Sequence, residues 1–229
     1  MKVLLFGATG MIGQGVLREC LRDPEVAEVV ALVRRPTGQA HTKLREIVHG
    51  DFFDYGPIER ELAGFDACFF CLGVSAAGLG EPEYSRLTHD LTLEAATLLV
   101  RLNPAMTFIY VSGAGTDSTG QGRTMWARVK GRTENDLRRL PSRAVYLFRP
   151  GLIQPLHGIQ SRTGWYRIIY GVLRPVFPIL RALAPDSFTT TERLGRAMLH
   201  AASGGAPQAV LETRDINRLG AAPAPAAAP

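Results

Sequence analysis

Short apolar runs alternate along the chain with stretches whose apolar side chains recur every three to four positions. That alternation predicts βαβ units and a parallel sheet. Six runs read as strands: Val3–Phe6, Glu28–Val33, Glu46–His49, Ala67–Phe70, Met106–Val111 and Ala144–Phe148. Between them Met11–Arg22, Pro82–Arg101 and Arg123–Leu140 carry helical periodicity. Near the end, Thr189 stands three residues before Glu192, the spacing of a capping box, so a helix is expected from Thr191 to Ala202. The run "QAVLE" (208–212) offers a late strand, and the tail "AAPAPAAAP" (221–229) has nothing with which to build a core. The predicted fold is α/β, a doubly wound parallel sheet over residues 1–220, with substrate-side elements at about 151–190.

The first strand runs directly into "GATGMIGQG", which places Gly7, Gly10 and Gly13 between a strand and a helix. Glycines there let the chain turn, let backbone approach a pyrophosphate, and let helix pack on strand. The unpaired N–H groups and the dipole of the helix start then favour the phosphates. Backbone from Gly7, Thr9, Gly10, Met11, Ile12 and Gly13 is the expected cradle of a dinucleotide. The second strand ends in "ALVRRP", with Arg34 and Arg35 where a site for a free ribose would carry an acid. Two guanidiniums suit a 2′-phosphate, so the expected cofactor is NADP(H). After the third strand, Asp51, followed by Phe52, can accept from an adenine amino group or make a local turn bond.

Charge and cysteines narrow the setting. The net charge of +5 comes from 23 arginines and three lysines and agrees with an anionic ligand. No basic block, zinc spacing or RNA-binding signature points to nucleic acid, and no metal site is expected. Cys68 and Cys71 have redox-motif spacing, but residues three apart on a strand face opposite sides, so their sulfurs should not meet. With Cys20 they read as buried thiols in a reducing cytoplasm, and the opening strand is too short for a signal-peptide core.

Taken together, "GATGMIG", "LVRRP", "GDFFD", "CLGVS", "YVSGAG", "RVKGRTE" and "FRPGLIQP" resemble the short-chain dehydrogenase/reductase superfamily in its atypical NAD(P)H-binding branch. The resemblance covers roughly residues 1–215 and implies a Rossmann fold. It also implies that Cys71, Leu72 and Gly73 run along the nicotinamide half, and that Pro150, Gly151, Leu152 and Ile153 hold the carboxamide through backbone groups. Hydride transfer in the superfamily uses a Ser with a Y-x-x-x-K pair, whose Lys lowers the Tyr pKa from one helical turn away. Ser112 matches the serine that polarises the substrate oxygen, and Lys130 matches the lysine that also binds the nicotinamide ribose. Trp126 stands in the place of the tyrosine, and an indole is no practical acid. The proton would then come from water or from Tyr84, with His89 behind it, since Tyr110 reads as core. The branch holds both small reductases and redox-sensing regulators without catalysis. The chain therefore reads as an NADP(H)-dependent reductase of an apolar carbonyl or enone substrate, or as a non-catalytic sensor.

The segment "GWYRIIYGVLRPVFPILRALAP" (164–185) spaces Arg167, Arg174 and Arg181 seven apart among apolar residues. Pro175, Pro178 and the arginines argue against a membrane span. It fits a lid over an apolar small-molecule substrate, an amphipathic element on anionic lipid, or a subunit interface such as that of a homodimer.

Overall fold

Apolar residues on both faces of successive strands require covering layers above and below, and the chain supplies them. The structure is a computed structural model and describes residues 1–159 and 185–221; residues 164–184 of the basic segment and 222–229 of the tail lie outside these. Seven strands form an all-parallel sheet: β1 (Lys2–Phe6), β2 (Glu28–Val33), β3 (Leu44–Val48), β4 (Ala67–Phe70), β5 (Thr107–Val111), β6 (Ala144–Arg149) and β9 (Val210–Glu212). Their order is β3-β2-β1-β4-β5-β6-β9, so the direction of winding reverses between β1 and β4. β7 (Leu152–Gln154) and β8 (Phe188–Thr190) pair in parallel as a separate two-stranded sheet beyond the end of β6.

Two apolar layers follow from the period-two alternation of the strands. Val3, Leu5, Val29, Ala31, Phe69 and Ile109 face helix α1 (Met11–Arg22) and helix α5 (Thr191–Gly204), with Ile216 of α6 (Thr213–Ala221) against the same layer. Leu4, Phe6, Val30, Cys68, Phe70 and Tyr110 face α3 (Leu91–Leu102), the 3₁₀ turn Gly56–Leu62 and Leu137 of α4 (Met125–Leu137). Cys20 and Cys71 pack with the first layer and Cys68 with the second, and all three are free, as the strand geometry implied.

Three expectations change. The single helix expected over Pro82–Arg101 is α2 (Glu81–Ser85), a π turn at Arg86–Asp90 and then α3. The cap of α5 is Thr190, whose hydroxyl accepts from the Arg193 N–H at 3.0 Å; Thr189 is buried one residue too early to do so. Residue 221, read as tail, ends α6, a helix the periodicity did not announce.

Candidate functional site

Parallel strands bring their carboxyl ends to one edge, and the loops after β1, β2, β4, β5 and β6 meet there. A crevice at such an edge, beside the switch point, is where open α/β sheets bind ligands. Gly7 leaves β1 with φ of +78°, and a Cβ on it would lie 2.7 Å from the Cys71 backbone. A Cβ on Gly13 would fall 2.0 Å from the Gly7 oxygen, so this glycine lets the first turn of α1 sit against the end of β1. Gly10 caps α1 without any side-chain hydrogen bond, which leaves the first-turn N–H groups of Met11, Ile12 and Gly13 without an intrahelical partner. Beside this helix start lies a cleft of about 680 Å³ lined by Thr9, Arg34, Arg35 and Pro36. Both arginines are exposed, and neither forms an ion pair with any described residue.

Other expected contacts are narrower than the sequence implied. Oδ1 of Asp51 accepts from the Phe53 N–H at 2.9 Å, the local turn bond. Phe52 is buried against Phe6, so its ring belongs to the core and only its backbone can reach a ligand. Cys71 and Leu72 lie directly under Gly7, with Gly73 exposed after them. The Pro150 carbonyl accepts from Ala114 N–H at 2.9 Å, and the Gly151 N–H donates to Thr213 Oγ1 at 2.8 Å. Leu152 and Ile153 follow in the strand that pairs with β8.

The end of β5 brings together the side chains that the sequence marked for chemistry. Ser112 is buried, and its hydroxyl donates to Glu134 Oε1 at 2.6 Å, with the Phe148 carbonyl at 3.2 Å. In this arrangement the one hydroxyl hydrogen is engaged inside the protein, and polarising a substrate oxygen requires it to rotate away from Glu134. Glu134, missed by the sequence reading, is 1% exposed and is clasped by the Arg149 guanidinium, whose Nε lies 3.0 Å from Oε1. Arg149 also reaches Ser118 Oγ at 2.5 Å and Glu212 at 3.3 Å, and this pairing holds its pKa up. One turn before Glu134, Lys130 donates from Nζ to the Ser112 carbonyl at 2.5 Å. Burial lowers the Lys130 pKa from 10.5 to about 8, with Glu134 pulling in the opposite direction.

Trp126 is one turn before Lys130, and its ring borders the loop after β5: a side chain on Gly115 would lie 3.5 Å from Cη2. Tyr84 is 1% exposed, and burial raises its pKa. It is core, which overturns its place as proton donor. Tyr110 is core as expected. His89 does not stand behind Tyr84 in wait; its ring bridges Asp90 at 2.7 Å and Asp136 at 2.9 Å.

Known proteins agree with this architecture. Residues 7–144 match the family described as NAD(P)H-binding. A mitochondrial protein of Emericella nidulans, fmp52, is 30% identical over 158 residues, covering 66% of each chain. The Saccharomyces cerevisiae mitochondrial protein FMP52 is 29% identical over 166 residues, covering 71% of this chain and 69% of its own. This chain thus spans about two thirds of the length of these relatives. Their naming as mitochondrial proteins overturns the cytoplasmic expectation, because free thiols report reducing conditions and do not separate one reducing compartment from another. Among solved structures, MoeE5 in complex with UDP-glucose and NAD superposes with a TM-score of 0.66 at 20% identity, covering 94% of this chain and 79% of that one. The Helicobacter pylori ADP-L-glycero-D-manno-heptose-6-epimerase superposes at 0.65 with 16% identity over 94% and 79%. At those identities the likeness is one of fold. The glycine cradle at a bare helix start, the seven-stranded parallel sheet and the family match together assign the chain to the NAD(P)H-binding family.

Proposed function

We propose that the protein binds NADP(H) in preference to NAD(H) and uses it to reduce a small apolar carbonyl or enone. The observation that carries this reading is the cleft at the start of α1, lined by Arg34 and Arg35 with no acid among its described lining residues. The pyrophosphate takes the open N–H groups of Met11, Ile12 and Gly13, and the guanidiniums take the 2′-phosphate through charge-assisted bonds. When bound, the cofactor supplies a hydride. The chain's part is to hold the ribose through Lys130, to shape the pocket with Trp126 and to deliver a proton.

Fluorescence titration tests the preference. NADPH should bind about ten- to hundredfold tighter than NADH, and Arg34→Ala with Arg35→Ala should erase most of that margin, since each bond to a charged group is worth about 1.5–3 kcal/mol. Equal affinities in the unaltered protein would overturn the preference. A second reading, a redox-sensing regulator without turnover, is favoured by the tryptophan at position 126. It predicts tight NADPH binding with no NADPH consumption against quinones, aldehydes or enones.

A further inference from the structure

The tyrosine's absence leaves a reductase without its usual acid, and the side chains around the end of β5 narrow the replacement. Ser112 spends its only hydroxyl hydrogen inside the protein. The Thr116 hydroxyl donates to the Gly113 carbonyl at 2.7 Å. The phenols of Tyr84 and Tyr110 are enclosed, and burial raises the pKa of both. The Cys71 thiol at the end of β4 is pushed up by burial as well. His89 is held between two carboxylates on the outer side of α4. Among the described residues Lys130 remains: its ammonium has three N–H groups, of which the Ser112 carbonyl takes one.

We propose that Lys130 is the proton donor of this site, its ammonium protonating the substrate oxygen as the carbonyl carbon takes up hydride. The proposal rests on the reductase reading above. In the step, the C–H bond of the reduced nicotinamide that carries the hydride breaks, a C–H bond forms on the carbonyl carbon with that electron pair, and the π pair of C=O moves to oxygen. An O–H bond forms as one N–H bond of Lys130 breaks, directly or through one water. The nicotinamide is oxidised, the carbonyl is reduced to an alcohol, and solvent water returns a proton to the amine.

The surroundings are built for such an exchange. A lysine with its usual pKa would hold its proton too tightly near neutrality; here burial brings it to about 8, and the carboxylate of Glu134 keeps it from falling further. The other groups around α4 leave this balance in place. Arg149 of β6 is neutralised by Glu134 and Glu212. From β5 and α2 come the un-ionised phenols of Tyr110 and Tyr84. On the outer side of the helix, Arg128 pairs with Glu81 and Arg132 bonds Ser85, while His89 meets Asp136.

Two measurements test this on the intact protein. The first needs no turnover. The chain has only three lysines, so acetylation of Lys130 by limiting acetic anhydride can be followed by peptide mass spectrometry against pH, with Lys2 and Lys43 read in the same digest. A reactivity midpoint near pH 8 is expected. The second follows NADPH-dependent reduction of phenanthrenequinone and nitrobenzaldehyde at saturating NADPH. The rate should fall about tenfold per pH unit above the same midpoint, because the acid must be protonated. Lys130→Arg keeps the positive charge but holds its proton throughout; at saturating NADPH it should lose at least about a hundredfold in turnover and show no such limb. Turnover that survives in Lys130→Arg with the limb intact, or a Lys130 midpoint above pH 9.5, overturns the proton-donor role and leaves the reductase reading standing. Tight NADPH binding with no reduction of either probe by the wild type overturns the reductase reading and this proposal with it.

Discussion

Glu134 shows how much of this site depends on one side chain that makes no contact with the cleft itself. Its carboxylate receives the Ser112 hydroxyl and the Arg149 fork at 1% exposure, so all of its charge is balanced inside the protein. Glu134→Gln preserves the shape but leaves Arg149, 12% exposed, with Glu212 as its remaining carboxylate. Breaking a buried pair from one side costs about 3–5 kcal/mol, and the surviving Glu212 pairing places this case near the lower end. Urea unfolding should show a loss of about 3 kcal/mol. The same substitution removes the negative charge that favours the Lys130 ammonium, so the Lys130 acetylation midpoint should move below pH 8. A midpoint that rises instead would show that Glu134 does not act on Lys130. The spacing of Trp126, Lys130 and Ser112 was legible in the sequence because it lies within one helix and one strand end. Glu134 was not: in "RVKGRTEND" a glutamate reads as a solvated helix residue, and only Arg149, arriving from β6, makes its burial tolerable.

At the scale of elements, the junction of β1 with α1 decides whether a phosphate can be seated. Gly13→Ala would drive a Cβ to 2.0 Å from the Gly7 oxygen, and because that oxygen belongs to backbone, the helix start must move. Overpacking of this kind costs about 1–3 kcal/mol, and it shifts the N–H groups away from the pyrophosphate. NADPH affinity should drop at least about tenfold, with a lower unfolding midpoint. Gly10→Ala is the contrast. Its Cβ would meet the Gly7 oxygen at 3.4 Å, so the helix can stay in place and stability should change by no more than about 1 kcal/mol, the scale of an altered helix cap. Equal damage from both substitutions would mean that this packing does not set the site. Strands β1, β2, β4 and β5 were readable because parallel strands buried on both faces appear as nearly unbroken apolar runs. The π turn at Arg86–Asp90 left no such trace, since its register depends on packing against α4 through contacts such as His89 with Asp136. α6 escaped because only Ile216 and Leu219 mark its inner side in nine residues, and β8 because its three residues are a Phe and two threonines.

Across the whole molecule, the cleft is assembled from segments far apart in sequence: the glycine loop after β1 and the arginines after β2, with the loop after β4 packed beneath Gly7. The unfolded chain has no such site, so ligand binding must appear as stability. At a free NADPH concentration about a hundred times its Kd, the folded state gains about 2.7 kcal/mol. For a chain of this size that corresponds to a rise in Tm of about 5–10 °C. If NADH binds a hundredfold more weakly, the same concentration sits near its Kd and adds only about 0.4 kcal/mol, a shift of roughly 1 °C. Ionic strength separates the contributions. Arg34 and Arg35 are exposed, so on the proposed NADP(H) reading their attraction to a 2′-phosphate would be screened as the Debye length shrinks from about 10 Å at 0.1 M to about 3 Å at 1 M salt. The pyrophosphate at the helix start is common to both cofactors, so screening there lowers both shifts alike. Added salt should therefore narrow the gap between the NADPH and NADH shifts, and Arg34→Ala with Arg35→Ala should already have narrowed it at low salt. A gap that persists unchanged at 1 M salt would locate the discrimination away from these two guanidiniums.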